Sequence, residues 1–372
     1  MIFNNILTIW KYKTFRDLFL SGFLSSVARW LELLVFSLII WDIFKDTSLI
    51  GFLVTLRLLS MMIVGFYFIG KGSFFSGRKV MLTFTLLCSV SCLIVFGLIS
   101  LNLKVELLGI SIISILSGCL WSVDFSFRRR MLADSLPKKL LSSGISIDVL
   151  STHATRILGP LLGGVLLTYF FQEFIILFLG NLYLLSFLFL YRHQDNTQTL
   201  NYIRFSKMVN IVFNEAIKKD SIFLVLILTP IFNIFALPFL ALISILIIEK
   251  FNKNALDIGF VTSLEGLGAL LGGIIIALIT PQKKTKFFSL MLLTLLITMT
   301  LCSMTSNYFA FIIFLIVFGS STACYSALQS TIIYTFCSPE LRSSVFSLIT
   351  IAIGAGFIGS INIMFLSTFL TP

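Results

Sequence analysis

Charge is scarce in this sequence. Only 12% of its 372 residues are charged, against 58% hydrophobic, where a soluble domain carries about 25% charged residues. A water-soluble chain this apolar could not cover its own surface, so lipid has to cover it. Histidine is nearly missing, at two residues, and the six Cys (Cys88, Cys92, Cys119, Cys302, Cys324, Cys337) lie in or beside apolar runs. Cys88 and Cys92 share a helix face, but no His or carboxylate stands with them at ligand spacing. All six read as small buried hydrophobes rather than as disulfides or metal ligands. The Gly-x-x-x-x-Gly-Lys-Ser/Thr loop is absent, which speaks against ATP-driven work by this chain alone. So are His-Glu-x-x-His, Gly-x-Ser-x-Gly and any loop resembling a selectivity filter. No metal, cofactor or enzymatic chemistry is therefore expected. A cleavable leader is not evident either, since the first apolar run outlasts signal-peptide length and lacks a small-residue cleavage site.

Long apolar runs, rich in the chain's 40 Phe, take the place of what is missing. A bilayer core of about 30 Å takes about 20 apolar residues per helix. Spans are expected near 18–43, 48–70, 79–101, 105–127, 142–169, 173–191, 221–248, 257–280, 286–304, 308–329 and 345–370. The formal charge of +11 would suggest nucleic acid in a soluble protein, but here the basic residues fall in short breaks between apolar runs. With the N-terminus placed in the cytoplasm, about 20 of the 27 Lys and Arg fall on the cytoplasmic side, as the positive-inside rule requires. Residues 193–220 form the main polar break. Phe205, Met208, Val209, Val212, Phe213, Ala216 and Ile217 repeat at helical spacing there, opposite a polar face. The expectation is an amphipathic helix on the membrane surface between an N-terminal bundle, 1–192, and a C-terminal bundle, 221–372.

The two halves echo one another. Ile50-Gly51-Phe52-Leu53-Val54-Thr55-Leu56-Arg57 aligns with Ile258-Gly259-Phe260-Val261-Thr262-Ser263-Leu264-Glu265, and the same offset pairs Gly65 with Gly273 and Arg78 with Lys286. Duplicated halves are a transporter architecture, with the ligand site between them near the midplane. The stretch Arg129-Arg130-Met131-Leu132-Ala133-Asp134-Ser135-Leu136-Pro137, followed by Ala154-Thr155-Arg156-Ile157-Leu158-Gly159-Pro160-Leu161-Leu162-Gly163-Gly164, resembles the helix 4–5 loop and helix 5 of the major facilitator superfamily. It looks most like the branch of macrolide-efflux and enterobactin-export proteins, as do Phe15-Arg16 and Pro339-Glu340-Leu341-Arg342. The resemblance implies an all-α integral membrane fold of two six-helix bundles. About eleven spans are legible where twelve are implied; either the twelfth is missing or one span hides two segments. The gating loop after helix 2 keeps Gly70, Gly77, Arg78 and Lys79, but Phe74 and Phe75 take the places of the family's Asp and Arg.

Ionisable groups inside a bilayer cost several kcal/mol, so each is a functional candidate. Here they are Arg29, Glu32, Arg57, Asp124, Asp148, His153, Arg156 and Glu265. Arg29 and Glu32 stand at i, i+3 on one face. Either Glu32 accepts a proton whose affinity Arg29 sets, or the two are a neutralised structural pair. Trp30, between them, is expected to point elsewhere and serve packing. Glu265 and its repeat-equivalent Arg57 are candidates for a pair joining the halves, and Glu265 is, with Glu32, a candidate proton carrier. Arg156 is open to helix carbonyls or a carboxylate on helix 1 or 4, and Asp124 to a local pair with Arg128. Gly159, Pro160, Gly163 and Gly164 read as a mechanical element for close helix contact. Asn233, Ser320, Ser321 and Tyr325 are uncharged cavity candidates. The resemblance implies proton-driven export of a small amphipathic or hydrophobic molecule from a bacterial cytoplasmic (inner) membrane, by a monomer whose partners are substrate, protons and lipid. Uptake by the same fold and a non-transporting, degenerate membrane protein remain the alternatives.

Overall fold

The computed structural model describes residues 8–68, 76–128, 131–132, 135–193, 219–279, 281–337 and 342–366. These fold into helices throughout, with no strand among them. In chain order they are α1 (Lys13–Phe44), α2 (Thr47–Phe68), α3 (Gly77–Ser100), α4 (Glu106–Val123), α5 (Lys138–Tyr169) and α6 (Gln172–Arg192). Then come α7 (Asp220–Phe251), α8 (Ala255–Ile279), α9 (Lys284–Met304), α10 (Tyr308–Phe336), α11 (Arg342–Gly354) and α12 (Phe357–Leu366). Of the surface helix expected over 193–220, residues 194–218 lie outside the described residues, as do Gly70, Phe74 and Phe75.

Local chemistry sets the helix ends. Ser76 caps α3 by accepting from the Lys79 N–H at 3.3 Å, and Asn307 caps α10 by accepting from Phe309 and Ala310. The left-handed residues Lys45 (φ 51°) and Asn252 (φ 49°) close α1 and α7, at equivalent points of the two halves. Among the described residues, ten helical stretches are long and apolar enough to cross a membrane. Lys13–Phe44 leads them, and Leu348–Leu366 joins α11 and α12 into one crossing. The expected span at 345–370 therefore holds two helical pieces but a single crossing. It turns at Ala355-Gly356, where Gly356 and Gly359 let the α7 backbone at Asn233 and Ile234 come close. The polar first half of α5 keeps that 32-residue helix off the apolar set.

The halves meet along two seams, α5 against α8 and α2 against α11 and α12, while α7 lies on α1, α11 and α12. A Cβ added to Gly259 would stand 2.7 Å from Gly164 Cα and from Pro160 O, so these backbones cross with nothing between them. A Cβ added to its repeat-equivalent Gly51 would stand 3.0 Å from Ser360 O and from Met364 Cγ of α12. Gly65 faces Thr350 and Gly273 faces His153, and a Cβ added to either would meet that side chain at 3.4 to 3.5 Å. The sequence repeat thus places equivalent glycines on equivalent seams. One buried apolar cluster runs through α7–α11 and takes in Leu34 and Leu38 of α1; another runs through α1–α6 and takes in Ala241 and Ile245 of α7. Large apolar side chains such as Ile94, Ile313 and Leu293 stand outward, as lipid contact requires.

Candidate functional site

Consecutive turns of α1 send their side chains to different partners. Arg29 reaches α4, where Nη2 lies 3.2 Å from Asp124 Oδ2 and the guanidinium sits over the Trp121 ring at 5.1 Å. Glu32 pairs with Arg57 of α2 and accepts from Ser117 Oγ of α4 and the Tyr183 hydroxyl of α6, each at 2.8 Å. Arg29 and Glu32 therefore do not pair. The i, i+3 spacing puts them on neighbouring faces, and the nearer countercharge for each comes from another helix. Glu32 is fully buried with three donors on one carboxylate.

Asp124 and Arg128 pair locally, Nε to Oδ1 at 2.8 Å, across a π-helical turn over Asp124–Arg128 that ends α4. The pair is also the middle of a longer chain, because Arg128 Nη1 donates to Asp148 Oδ1 of α5 at 2.5 Å. Gly22 of α1 makes room for it: a Cβ there would stand 2.9 Å from Arg128 Cδ. Arg29, Asp124, Arg128 and Asp148 thus tie α1, α4 and α5 together.

The pair that joins the halves is Arg156 of α5 with Glu265 of α8. This corrects two expectations: Arg57 is engaged by Glu32 rather than Glu265, and the partner of Arg156 lies on α8 rather than on α1 or α4. Arg57 and Glu265 are equivalent by repeat and sit on α2 and α8, which belong to different seams. The Arg156 guanidinium also lies over Trp30 at 4.8 Å, so Trp30 supports the site instead of pointing away. His153, one turn away, faces Gly273 across the same seam, and its Nδ1 has no partner.

Two small cavities adjoin at Trp30 and Leu33. The first is walled by Arg156, Glu265, Ser244 and Thr262 on its polar side and by Leu34, Pro160 and Leu240 on its apolar side. The second is walled by Arg29, Arg57 and Trp121 with Val54, Leu58 and Leu237. Their free volumes are about 10 and 20 Å³, room for roughly a water each. The halves are therefore closed around the site. Gly159 and Gly163 abut α1 at Leu31 and Leu34, while Gly164 abuts α8, so α5 is wedged between the two.

The uncharged candidates fall elsewhere. Asn233 donates to Thr229 O of its own helix at 2.8 Å, and Ser321 donates to Val317 O at 2.9 Å. Tyr325 is stacked between Phe232 and Phe288, at 4.1 Å on each side. Ser320 packs on Gly272. None lines either central cavity; they build the core of the second half. At the far end of α6, Arg78 donates to Leu190 O and Tyr191 O, capping that helix, and Gly77 packs on Phe127. Lys79 enters the cap through its backbone. Tyr183, Ser117, Trp121 and Gly22 escaped the sequence reading. A Tyr deep in an apolar run, away from the interfacial belt, is the signal that would have found Tyr183.

Ten helical stretches among the described residues fit membrane crossings, and paired ionisable groups surround small closed cavities between them, as in a multi-pass membrane protein. The chain belongs to the Major Facilitator Superfamily, whose sequence model matches residues 18–360. No curated protein sequence matches it. Solved structures share the fold at low identity. A bacterial homologue of the human lysosomal transporter Spinster, in an inward-facing unoccupied conformation, is 15% identical over 96% of this chain and 83% of its own, with a TM-score of 0.68. A D-xylose–proton symporter is 12% identical over 96% and 90%, with a TM-score of 0.70. The nucleoside transporter NupG is 12% identical over 96% and 92%, with a TM-score of 0.66.

Proposed function

We propose that the chain is a proton-coupled secondary transporter of a small amphipathic molecule, working by alternating access as a monomer in a bacterial cytoplasmic membrane, with its N-terminus in the cytoplasm. The Arg156–Glu265 pair carries the reading. It is buried, it bridges the halves, and it lines the cavity. A proton taken up by Glu265 removes one charge of the pair and with it the tie between α5 and α8. The bare crossing of Gly164 on Gly259 then serves as the pivot. Glu32, held by Arg57, Ser117 and Tyr183, is a structural anchor in this scheme and not the proton carrier. Export is the direction favoured by the likeness of Gly159-Pro160 and Gly163-Gly164 to the exporter motif. Uptake is the second reading. Arginines outnumber carboxylates around the cavity, which favours loading a proton together with an acceptor-bearing substrate.

The test is accumulation of labelled macrolides, dyes and siderophores in an efflux-deficient bacterium, comparing wild type, Glu265→Gln and empty vector at matched membrane levels. Lower accumulation with wild type, reversed by Glu265→Gln or by an uncoupler, supports proton-driven export. Higher accumulation with the same reversals supports uptake. A difference that survives both Glu265→Gln and the uncoupler would overturn coupling at Glu265.

A further inference from the structure

The charge around the central cavity is lopsided, and from this we infer that the bound compound is an amphipathic anion. The inference rests on the transport reading and names its substrate class. Arg29 and Arg57 line the second cavity, and no carboxylate lines it. Their partners approach from other sides: Asp124 from the end of α4, and Glu32 from a third small cavity that shares Leu33, Val54 and Arg57 with the second. The first cavity adds Arg156 and Glu265. Three guanidiniums and two carboxylates therefore surround the three adjoining spaces, with Glu265 the one carboxylate on the first two.

A guanidinium carries five N–H donors in a planar fork, so one carboxylate on one edge leaves donors over. The Nε of Arg156 is buried without a partner, and so is the hydroxyl of Thr262 in the same wall. Arg29 lies over Trp121 at 5.1 Å and Arg156 over Trp30 at 4.8 Å, so each guanidinium is backed by an indole ring beside the cavity. Trp30, Trp121 and Leu33 offer the apolar body its seat. A cationic amphiphile would find Glu265 the one carboxylate on the first two spaces, and that group is already held by Arg156. A neutral one would leave buried donors unmatched. The present free volumes admit only water, so the ligand enters when the halves part.

The experiment uses the purified full chain and three compounds with one body and different heads: 4-(1-naphthyl)butyrate, the matching alcohol and the matching amine. Equilibrium dialysis reads the three affinities. The expected result is a carboxylate bound at least tenfold more tightly than either of the others. The double variant Arg156→Gln/Glu265→Gln, which leaves no charge unpaired, should lose most of that preference, as should Glu32→Gln/Arg57→Gln. Equal or tighter binding of the alcohol or amine would overturn the inference, as would no binding of any of the three. So would a preference unchanged in both folded double variants. An anion-binding protein that moves nothing in the accumulation assay sinks the transport reading and leaves this one standing. A protein that moves amines or alcohols and has no anion preference sinks this one alone.

Discussion

Replacing Glu32 with Gln should destabilise the protein more than its volume change suggests. Glu32 has no exposure, and Arg57, its partner, is 5% exposed. Gln keeps the shape and one acceptor oxygen, so Ser117 and Tyr183, each 2.8 Å away, lose only part of their bonding. What disappears is the charge opposite Arg57. Removing one member of a buried pair costs about 3–5 kcal/mol, because the other is left uncompensated. Single hydrogen bonds between membrane helices are worth about 0.6 kcal/mol on average, so the ion pair dominates and a loss of about 3–4 kcal/mol is expected. Arg57→Gln should cost less, since an unpaired Glu can shed its charge by taking a proton and an Arg cannot. The double variant, with both charges gone, should recover at least about 2 kcal/mol of the summed single losses. The assay is SDS unfolding in mixed micelles, followed by circular dichroism on all four proteins of the cycle. A Glu32→Gln loss under about 1 kcal/mol, or a double variant no better than the sum of the singles, would refute the reasoning.

Tyr183→Phe removes one donor from a buried carboxylate and should cost about 1–2 kcal/mol in the same assay, with little change in affinity for the carboxylate probe. Gly259→Val forces a branched side chain against Gly164 and Pro160 O, and should cost about 1–3 kcal/mol and abolish movement of substrate. Gly97→Ala is its control: a Cβ there meets nothing within 4 Å, so thermal stability should hold or rise by up to about 1 kcal/mol. Affinity for the carboxylate probe should tighten as pH falls, by at most about tenfold per pH unit for a single linked proton, and Glu265→Gln should flatten that dependence.

The crossings were legible because lipid imposes a length and an apolar composition that need no tertiary context. The one helix that strains this rule, α5, does so because Asp148 and Arg156 are neutralised by Arg128 and Glu265 on other helices. That the spans' rare ionisable groups would be drawn into ion pairs was legible as well, and seven of the eight candidates form them, His153 being the eighth. Who pairs with whom was not. Spacing on α1 says that Arg29 and Glu32 lie close, but the choice between a neighbour three residues away and one on α2 or α4 depends on how the helices pack. Repeat symmetry was a partial guide. It correctly set Gly51 and Gly259 on matching seams, yet it suggested an Arg57–Glu265 contact where symmetry demands separate seams. Asn233, Ser320, Ser321 and Tyr325 show the same limit: polarity marks a residue as buried among helices, and only packing decides between core and cavity.

If Glu265 carries the proton as proposed, coupling direction follows from how proton and substrate share one cavity. A proton on Glu265 cancels the one carboxylate lining the two spaces, so the arginines pull harder on an anion. By reciprocity, a bound anion raises the proton affinity of Glu265 to the same degree. Two ligands that strengthen each other travel together, and an inward proton gradient then drives uptake of the anion. Export by exchange needs the opposite sign, in which each ligand expels the other. For an amphiphile without negative charge, Glu265 supplies that sign whenever the compound's donor takes the place of Arg156 on the carboxylate. The substrate's charge and the transport direction are therefore a single question at this site. Tighter binding of the carboxylate probe at low pH would favour uptake over the exporter likeness of Gly159-Pro160, and weaker binding would restore export.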